Sequence, residues 1–255
     1  FRSVEDTLPA LLALDVDTLV AVVRACVRQK AVVVAADEPG SGMSDDDVVG
    51  NVFTMLLAGE DTTATSLSWM IYLLSRNPQA MDRVREEVDK VLGPMDTWTA
   101  DSLAELNYLE ACIHESMRLK PVGPFNVVEA LKDQVIDDVL VPAGTSVVMV
   151  MRHDNMKDEL FADAKQFKPE RWLPEGSGMA ADHAKRISMP FGAGPRICPG
   201  RYLAMMEIKL AAAMLLQNFG IVSVDTPDGG EAQEHMALTM VPVGLSMTLR
   251  QRTHR

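Results

Sequence analysis

One cysteine in this chain stands on a stretch built for a tight turn. Phe191-Gly192-Ala193-Gly194-Pro195-Arg196-Ile197-Cys198-Pro199-Gly200 sets an aromatic, three glycines, two prolines, an arginine and a thiol within ten residues. Gly194 can take a positive φ, which permits a sharp turn ahead of the cysteine. The planar fork of Arg196 matches a carboxylate bidentately. Cys198 in this setting is either a metal-binding thiolate, held by backbone N–H groups and shielded from water, or an inert buried thiol.

Two further stretches carry groups that could do chemistry or brace it. Ala58-Gly59-Glu60-Asp61-Thr62-Thr63 interrupts an apolar helical pattern that runs from Asn51 to Arg76. Ser44-Asp45-Asp46-Asp47 ahead of it has the form of a capping box, with acids at the positive helix end. Glycine costs about 1 kcal/mol relative to alanine inside a helix, and Asp and Thr are also poor formers. Such a conflict inside a strong helix is typical of functional sites. The alternative is that Thr62 and Thr63 bond back to carbonyls one turn earlier. The other stretch is Glu115-Ser116-Met117-Arg118, an i,i+3 acid–base pair on one helix face. The prolines of Leu119-Lys120-Pro121-Val122-Gly123-Pro124 end that helix, and Phe167-Lys168-Pro169-Glu170-Arg171-Trp172 follows.

Taken in chain order, these stretches resemble the motifs of the cytochrome P450 superfamily. Residues 191–200 fit Phe-x-x-Gly-x-Arg-x-Cys-x-Gly, the haem-ligand loop. The resemblance implies that Cys198 ligates the iron of haem b (iron protoporphyrin IX), pushing electron density onto the metal to favour O–O cleavage. It further implies that Phe191 covers the sulfur, that Arg196 pairs with a propionate, and that Gly192 and Gly194 shape the turn. Gly200, lacking Cβ, lets the backbone approach a flat macrocycle. Ala58 to Thr63 are similar to the oxygen-binding segment (Ala/Gly)-Gly-x-(Asp/Glu)-Thr-(Thr/Ser), where the helix is locally distorted. There, Asp61 and Thr62 match the pair that relays protons to dioxygen, and Ala58 and Gly59 match the small residues that leave it room. Glu115, Arg118 and Arg171 match a buried structural network, which is tolerable only if fully paired. Two departures stand out: an acid, Glu129, where a basic residue often meets a propionate, and Asp138 where a glycine usually precedes Val139-Leu140-Val141-Pro142.

The resemblance runs from about Asp45 to about Leu249. It implies a haem-thiolate monooxygenase that inserts one atom of dioxygen into an apolar organic substrate. The implied fold is mainly α with a small β region, cytochrome P450-like but truncated. Residues 1–255 would be a partial catalytic domain whose N-terminal half is absent. Phe53 to Leu57, Val122 to Phe125 and Val241 to Leu245 would wall the substrate. No glycine-rich dinucleotide fingerprint follows a strand, so electrons would come from a ferredoxin or flavoprotein reductase, either separate or a fused domain. Two other readings stand beside this one. A peroxygenase or isomerase of the same fold would often lack the acid–alcohol pair. A truncated, non-catalytic piece would bind haem weakly or not at all.

Composition narrows the class. Apolar residues make up 47% of the 255 and charged ones 24%, which excludes a disordered chain. A formal net charge of −12 argues against nucleic acid as a partner. Cys26, Cys112 and Cys198 show neither a disulfide framework nor zinc spacing, which suits a reducing, cytoplasmic setting. No apolar run reaches the roughly 18 residues of a membrane span, although an anchor would belong to the absent N-terminal part. The 17 methionines read as core filler, and His114 and His153 as structural. Lys185, Arg186, Arg196 and Arg201 cluster around the cysteine loop; they either dock an acidic electron-transfer protein or form an ordinary solvated patch.

Elements follow from periodicity. Helices are expected over Leu8–Lys30 (core Leu11, Leu14, Leu19, Val22, Val23), about 45–76, from Asn77-Pro78 to Leu92, about 107–119, and about 201–219, closed by Gly220. In the third, Met81, Val84, Val88 and Val91 face the core and Glu86 reaches Lys90. Strands are expected over Val135–Val141 and Ser146–Met151, joined through Pro142-Ala143-Gly144. Ala237–Val241 and Leu245–Leu249 should form a hairpin around Pro242-Val243-Gly244. Glu38 to Gly42 and Pro174 to Gly178 read as loops.

Overall fold

The computed structural model describes residues 44–174 and 181–252. The helix expected over Leu8–Lys30, the loop at Glu38–Gly42 and residues 175–178 lie outside the described residues. The chain divides into two units, 1–60 and 61–255, and the boundary falls inside the first described helix, α1 (Asp45–Arg76).

In the first unit, Ser44 and Asp47 form the expected capping box. The Asp47 N–H donates to Ser44 Oγ at 3.2 Å, and the Ser44 N–H and hydroxyl donate to Asp47 Oδ2 at 3.2 and 2.6 Å. Thr54 bonds back to the Gly50 carbonyl at 2.8 Å. Phe53 is half-buried, while Met55, Leu56 and Leu57 are exposed.

In the second unit, α1 continues to Arg76 and is followed by α2 (Pro78–Val91), α3 (Ala100–Ala104) and α4 (Asn107–Leu119). Pro78 at the start of α2 is where proline fits a helix, because its missing N–H has no intrahelical partner there. Apolar residues at helical spacing make one core. It is built from Trp69, Met70 and Leu74 of α1, Met81, Val84 and Val88 of α2, and Leu109 and Ile113 of α4. The last helix, α7 (Arg201–Asn218), adds Ile208, Ala212, Ala213 and Leu216. The open N-terminal N–H groups of α4 are taken up by α2: Tyr108 and Leu109 donate to Glu87 Oε1 and Oε2 at 2.7 and 2.8 Å. Glu87, one residue along, does the tertiary work, and the Glu86–Lys90 pair expected on this helix does not form.

Between α4 and α7 lie β1 (Asn126–Glu129), β2 (Gln134–Ile136), β3 (Val139–Val141), β4 (Ser146–Met149), α5 (Met151–Asn155) and α6 (Ala181–Ser188). After α7 come β5 (Phe219–Asp225), β6 (Glu234–Met236), β7 (Met240–Pro242) and β8 (Ser246–Gln251). All are antiparallel pairs: β1 with β4, β2 with β3, β5 with β8, and β6 with β7. The fold is therefore mainly α with a small β region, as the sequence implied.

The pairings correct the strand expectations. Val135–Val141 is not one strand but the hairpin β2–β3, which turns at Asp137 with φ +57. An acid tolerates that left-handed conformation, so the turn does not need the glycine missing at Asp138. The Ser146 strand stops at Met149 because Met151 opens α5, and its partner is β1, which lacked any sequence signal. Gly220 does not close α7. Phe219 is already extended, and Gly220 pairs with Arg250 in the β5–β8 ladder. Nor do the segments around Pro242-Val243-Gly244 pair with each other, since β7 joins β6 and β8 joins β5.

Candidate active site

The cysteine turn is held by its own backbone. Gly192 and Gly194 adopt φ of +73 and +68. A Cβ on Gly192 would meet nothing closer than 3.8 Å, and one on Gly194 nothing within 4 Å. Conformation, not space, is therefore what glycine supplies here. Gly194–Arg196 forms a short 3-10 turn, and the Cys198 N–H donates to the Phe191 carbonyl at 2.9 Å, closing the loop on its first aromatic. Cys198 is a free, half-buried thiol. Phe191 is half-buried against the core, and Gly200 leads directly into α7. Arg196 is exposed and makes no hydrogen bond or ion pair with any described residue. Arg201, which the sequence marked only as part of a basic cluster, donates to the Cys198 carbonyl at 3.3 Å and lies over the Tyr202 ring at 4.3 Å. By contrast, Cys112 is buried in α4, and burial pushes its thiol well up.

On α1, the helix passes through Ala58 to Thr63 without a break, where the resemblance implied a distortion. Its C-terminal half is anchored by the fully buried Trp69, Met70 and Leu74. Tertiary packing thus carries a run of poor helix formers. Ala58 and Gly59 are exposed in the first unit, and a Cβ on Gly59 would meet nothing within 4 Å. Asp61 is exposed and Thr62 half-buried. Thr63 does not bond back to a carbonyl; its hydroxyl oxygen is buried without a partner among the described residues. Asp61 Oδ2 accepts a hydrogen bond from the Thr239 hydroxyl. Thr239 had no sequence signal, since the two lie 178 residues apart.

The structure brings Glu115, Arg118 and Arg171 together. Glu115 and Arg118 have side chains with 0% exposure. Arg118 donates through Nε and Nη2 to the two Glu115 oxygens at 2.9 and 2.7 Å. It also reaches the Asn155, Ala164 and Gln166 carbonyls at 2.6, 2.7 and 3.2 Å. Those bonds occupy the full donor set of a guanidinium. Glu115 accepts in addition from Arg171 Nε at 3.0 Å, the Lys168 N–H at 2.9 Å and Trp172 Nε1 at 2.8 Å. The motif Phe167 to Trp172 therefore contributes three donors, of which only Arg171 was anticipated. Trp172 stood beside it in the sequence.

Next to Glu115 on α4, His114 stacks on Trp172 with ring centroids 5.2 Å apart. Burial lowers its imidazole below the ordinary range. Glu110 lies beside it, 2.6 Å from the Lys209 ammonium of α7. The His114 imidazole and the Lys209 ammonium hold the Glu110 carboxyl down to about 2, against its burial. Glu110, His114, Trp172 and Lys185 line a cavity of about 480 Å³. No group of His, Cys, Asp and Glu among the described residues forms a metal cluster. Likewise, no described helix is long and apolar enough to cross a membrane.

A profile of the family described as Cytochrome P450 matches residues 15–249. The chain is 37% identical over 215 residues to a protein of Gibberella moniliformis named bifunctional cytochrome P450/NADPH–P450 reductase, covering 84% of this chain and 19% of that protein. It is 37% identical over 187 residues to the mitochondrial 1,25-dihydroxyvitamin D(3) 24-hydroxylase of Rattus norvegicus, covering 72% of this chain and 35% of the relative. Among solved structures, the crystal structure of cytochrome P450DA heme domain superposes with a TM-score of 0.79 at 25% identity, over 93% of this chain and 55% of that one. The chain thus spans about half of the solved domain and between a fifth and about a third of these relatives.

Proposed function

Because the chain belongs to the cytochrome P450 family, we propose that it is the ligand-bearing part of a haem-thiolate monooxygenase acting on an apolar organic substrate. The observation that carries this reading is the 191–200 turn: a free, half-buried Cys198 whose N–H is bonded back to Phe191 across two glycines of positive φ. The donor set fits haem b. A thiol outside any disulfide suits iron, and the Arg196 guanidinium on the same turn, unpaired among the described residues, suits a propionate.

In this reading Cys198 would hold the iron and Arg196 a propionate. Phe191 would keep water from the sulfur, Gly192 and Gly194 would fix the turn, and Gly200 would let the backbone come close. When bound, the haem supplies the activation of dioxygen, with two electrons and two protons, so that one oxygen atom enters the substrate and the other leaves as water. The chain's own residues have quieter tasks. Asp61 and Thr62 hold and pass protons, with Asp61 Oδ1 having no partner among the described residues. Ala58 and Gly59 leave room on α1. In the first unit Phe53 to Leu57 offer apolar residues to a substrate, with Met55, Leu56 and Leu57 exposed; in the second, Val122 to Phe125 and Val241 to Leu245 do so, with Phe125 and Val243 exposed. The electron donor would be a ferredoxin or a flavoprotein reductase, which in one relative's name is part of the same protein. A cytoplasmic location accords with this reading.

The presence of Asp61 and Thr62 favours oxygen activation over a peroxide-driven or isomerising relative. The second reading, a piece that binds haem weakly on its own, is favoured by those same exposed apolar side chains. The spectrum of the reduced, CO-bound protein tests the assignment. Full-length protein should show the strongly red-shifted thiolate band, and Cys198→His should abolish it; an unchanged band in the variant would sink the proposal.

A further inference from the structure

We infer that Thr239 is the positioning residue for the Asp61 carboxylate, an inference that rests on the reading of Asp61 as a proton-handling group. The Thr239 hydroxyl donates to Asp61 Oδ2. Thr239 is 4% exposed, and this is its hydroxyl's one hydrogen bond among the described residues. A buried hydroxyl needs a partner, so the turn cannot give up this contact freely. Asp61 is exposed, and left alone its side chain would be free to rotate.

The turn that carries Thr239 is fixed from several directions. The Ala237 N–H donates to the Thr239 carbonyl at 3.1 Å, and the Met240 N–H to the Val122 carbonyl at 2.9 Å. The Met240 carbonyl accepts from Trp69 Nε1 at 2.8 Å. Trp69 is fully buried and sits two turns along α1 from Asp61, on the same face. One turn further on, the Tyr72 hydroxyl accepts from the Ala232 N–H at 3.0 Å. The segment 232–240 is therefore strapped along α1 at Asp61, Trp69 and Tyr72. Thr239 is the fixed partner and Asp61 the held one.

Threonine suits the task. Its β-branched side chain is stiff at χ1. Its hydroxyl donates to a carboxylate and can equally accept from the protonated acid. One contact thus serves both protonation states, and it leaves Oδ1 open. Valine would keep the shape and delete the donor, whereas serine would keep the donor.

The test uses the full-length, haem-loaded protein supplied with a flavoprotein reductase and NADPH under oxygen. It compares wild type with Asp61→Ala, Thr239→Val, Thr239→Ser and the Asp61→Ala/Thr239→Val double variant. Two quantities are read: the share of electrons recovered as hydrogen peroxide, and the melting temperature. Asp61→Ala should raise the peroxide share several-fold. Thr239→Val should raise it most of the way to that level, and Thr239→Ser should restore it. The two single melting losses should not add in the double variant, because both remove one contact. If Asp61→Ala leaves the peroxide share unchanged, Asp61 is not a proton-handling group and the reading beneath the inference is lost. If Asp61→Ala raises it while Thr239→Val stays at the wild-type value, or Thr239→Ser fails to rescue, the contact is structural and the inference is overturned. Additive melting losses would overturn it too, by showing that the contact is absent in solution.

Discussion

Glu115 is where the polar interactions of the second unit converge. Its carboxylate meets two donors of Arg118, one of Arg171, the Trp172 indole and the Lys168 amide, with 0% exposure. A buried ion pair gains little over a well-packed apolar pair, but breaking one strands a charge in a dry interior at about 3–5 kcal/mol. Glu115→Ala should lose about that much, a large part of a stability that is typically about 5–15 kcal/mol. Arg171→Lys should lose less, since its side chain is 12% exposed and Arg118 keeps Glu115 paired. Urea unfolding orders the two; equal midpoints for Glu115→Ala and wild type would show that the network adds nothing net. At this scale, the sequence disclosed the charged members through the motif. It hid Thr239, because a hydroxyl in a turn carries no pattern until the fold brings it to Asp61. It also hid the backbone acceptors Asn155, Ala164 and Gln166, which have no side-chain signature at all.

Helices and strands differed in how far the sequence disclosed them, and burial explains why. α1, α2, α4 and α7 each bury an apolar stripe, so their periodicity survives in the sequence. β2 is exposed at every residue and β8 likewise. With no buried face there is no alternation to read, and register is weakly written in the sequence. The α4–α7 contact carries a consequence for pH. Lys209, 5% exposed, spans from α7 to the Leu103 carbonyl and to Glu110 on α4. The carboxyl of Glu110 sits at about 2 in the fold against an ordinary 4.5. Its folded value is the lower one, so the unfolded chain binds the proton first. The stabilisation is complete above pH 4.5 and is lost as pH falls towards about 2. Glu110→Gln should be less stable than wild type at neutral pH and should lose the Glu110 share of the acid limb, giving a shallower melting profile in that window. His114 is coupled to Glu110: burial lowers the imidazole while its hydrogen bond with that carboxyl opposes this, and the lowered value removes stability as pH falls below the ordinary 6.5. A Glu110→Gln profile parallel to wild type below pH 4.5 would refute the coupling.

Across the whole molecule, the notable quantity is apolar surface without a cover. α7 buries Ile208, Ala212, Ala213 and Leu216 on one side, yet Tyr202, Leu203, Met206, Leu210 and Met214 are 72, 52, 43, 37 and 41% exposed on another. A helix that is apolar on more than one face is normally buried on all of them. Met55, Leu56, Leu57 and Phe125 add to the exposed set. This chain covers only 55% of the solved haem domain that it resembles. Exposed apolar surface of this kind drives association when nothing masks it. A net charge of −12 opposes that association over long range, but salt screens it within about 8 Å at physiological ionic strength. The 255-residue chain on its own should therefore self-associate, and more so as salt is raised. Leu203→Lys with Leu210→Lys should reduce association without lowering the melting temperature, because neither side chain belongs to the core. Light scattering against salt, followed by sedimentation, reads both effects. A chain that stays monomeric at high salt, melts cooperatively and takes up haem to full occupancy would show that these faces need no cover and that residues 1–255 form a working domain by themselves.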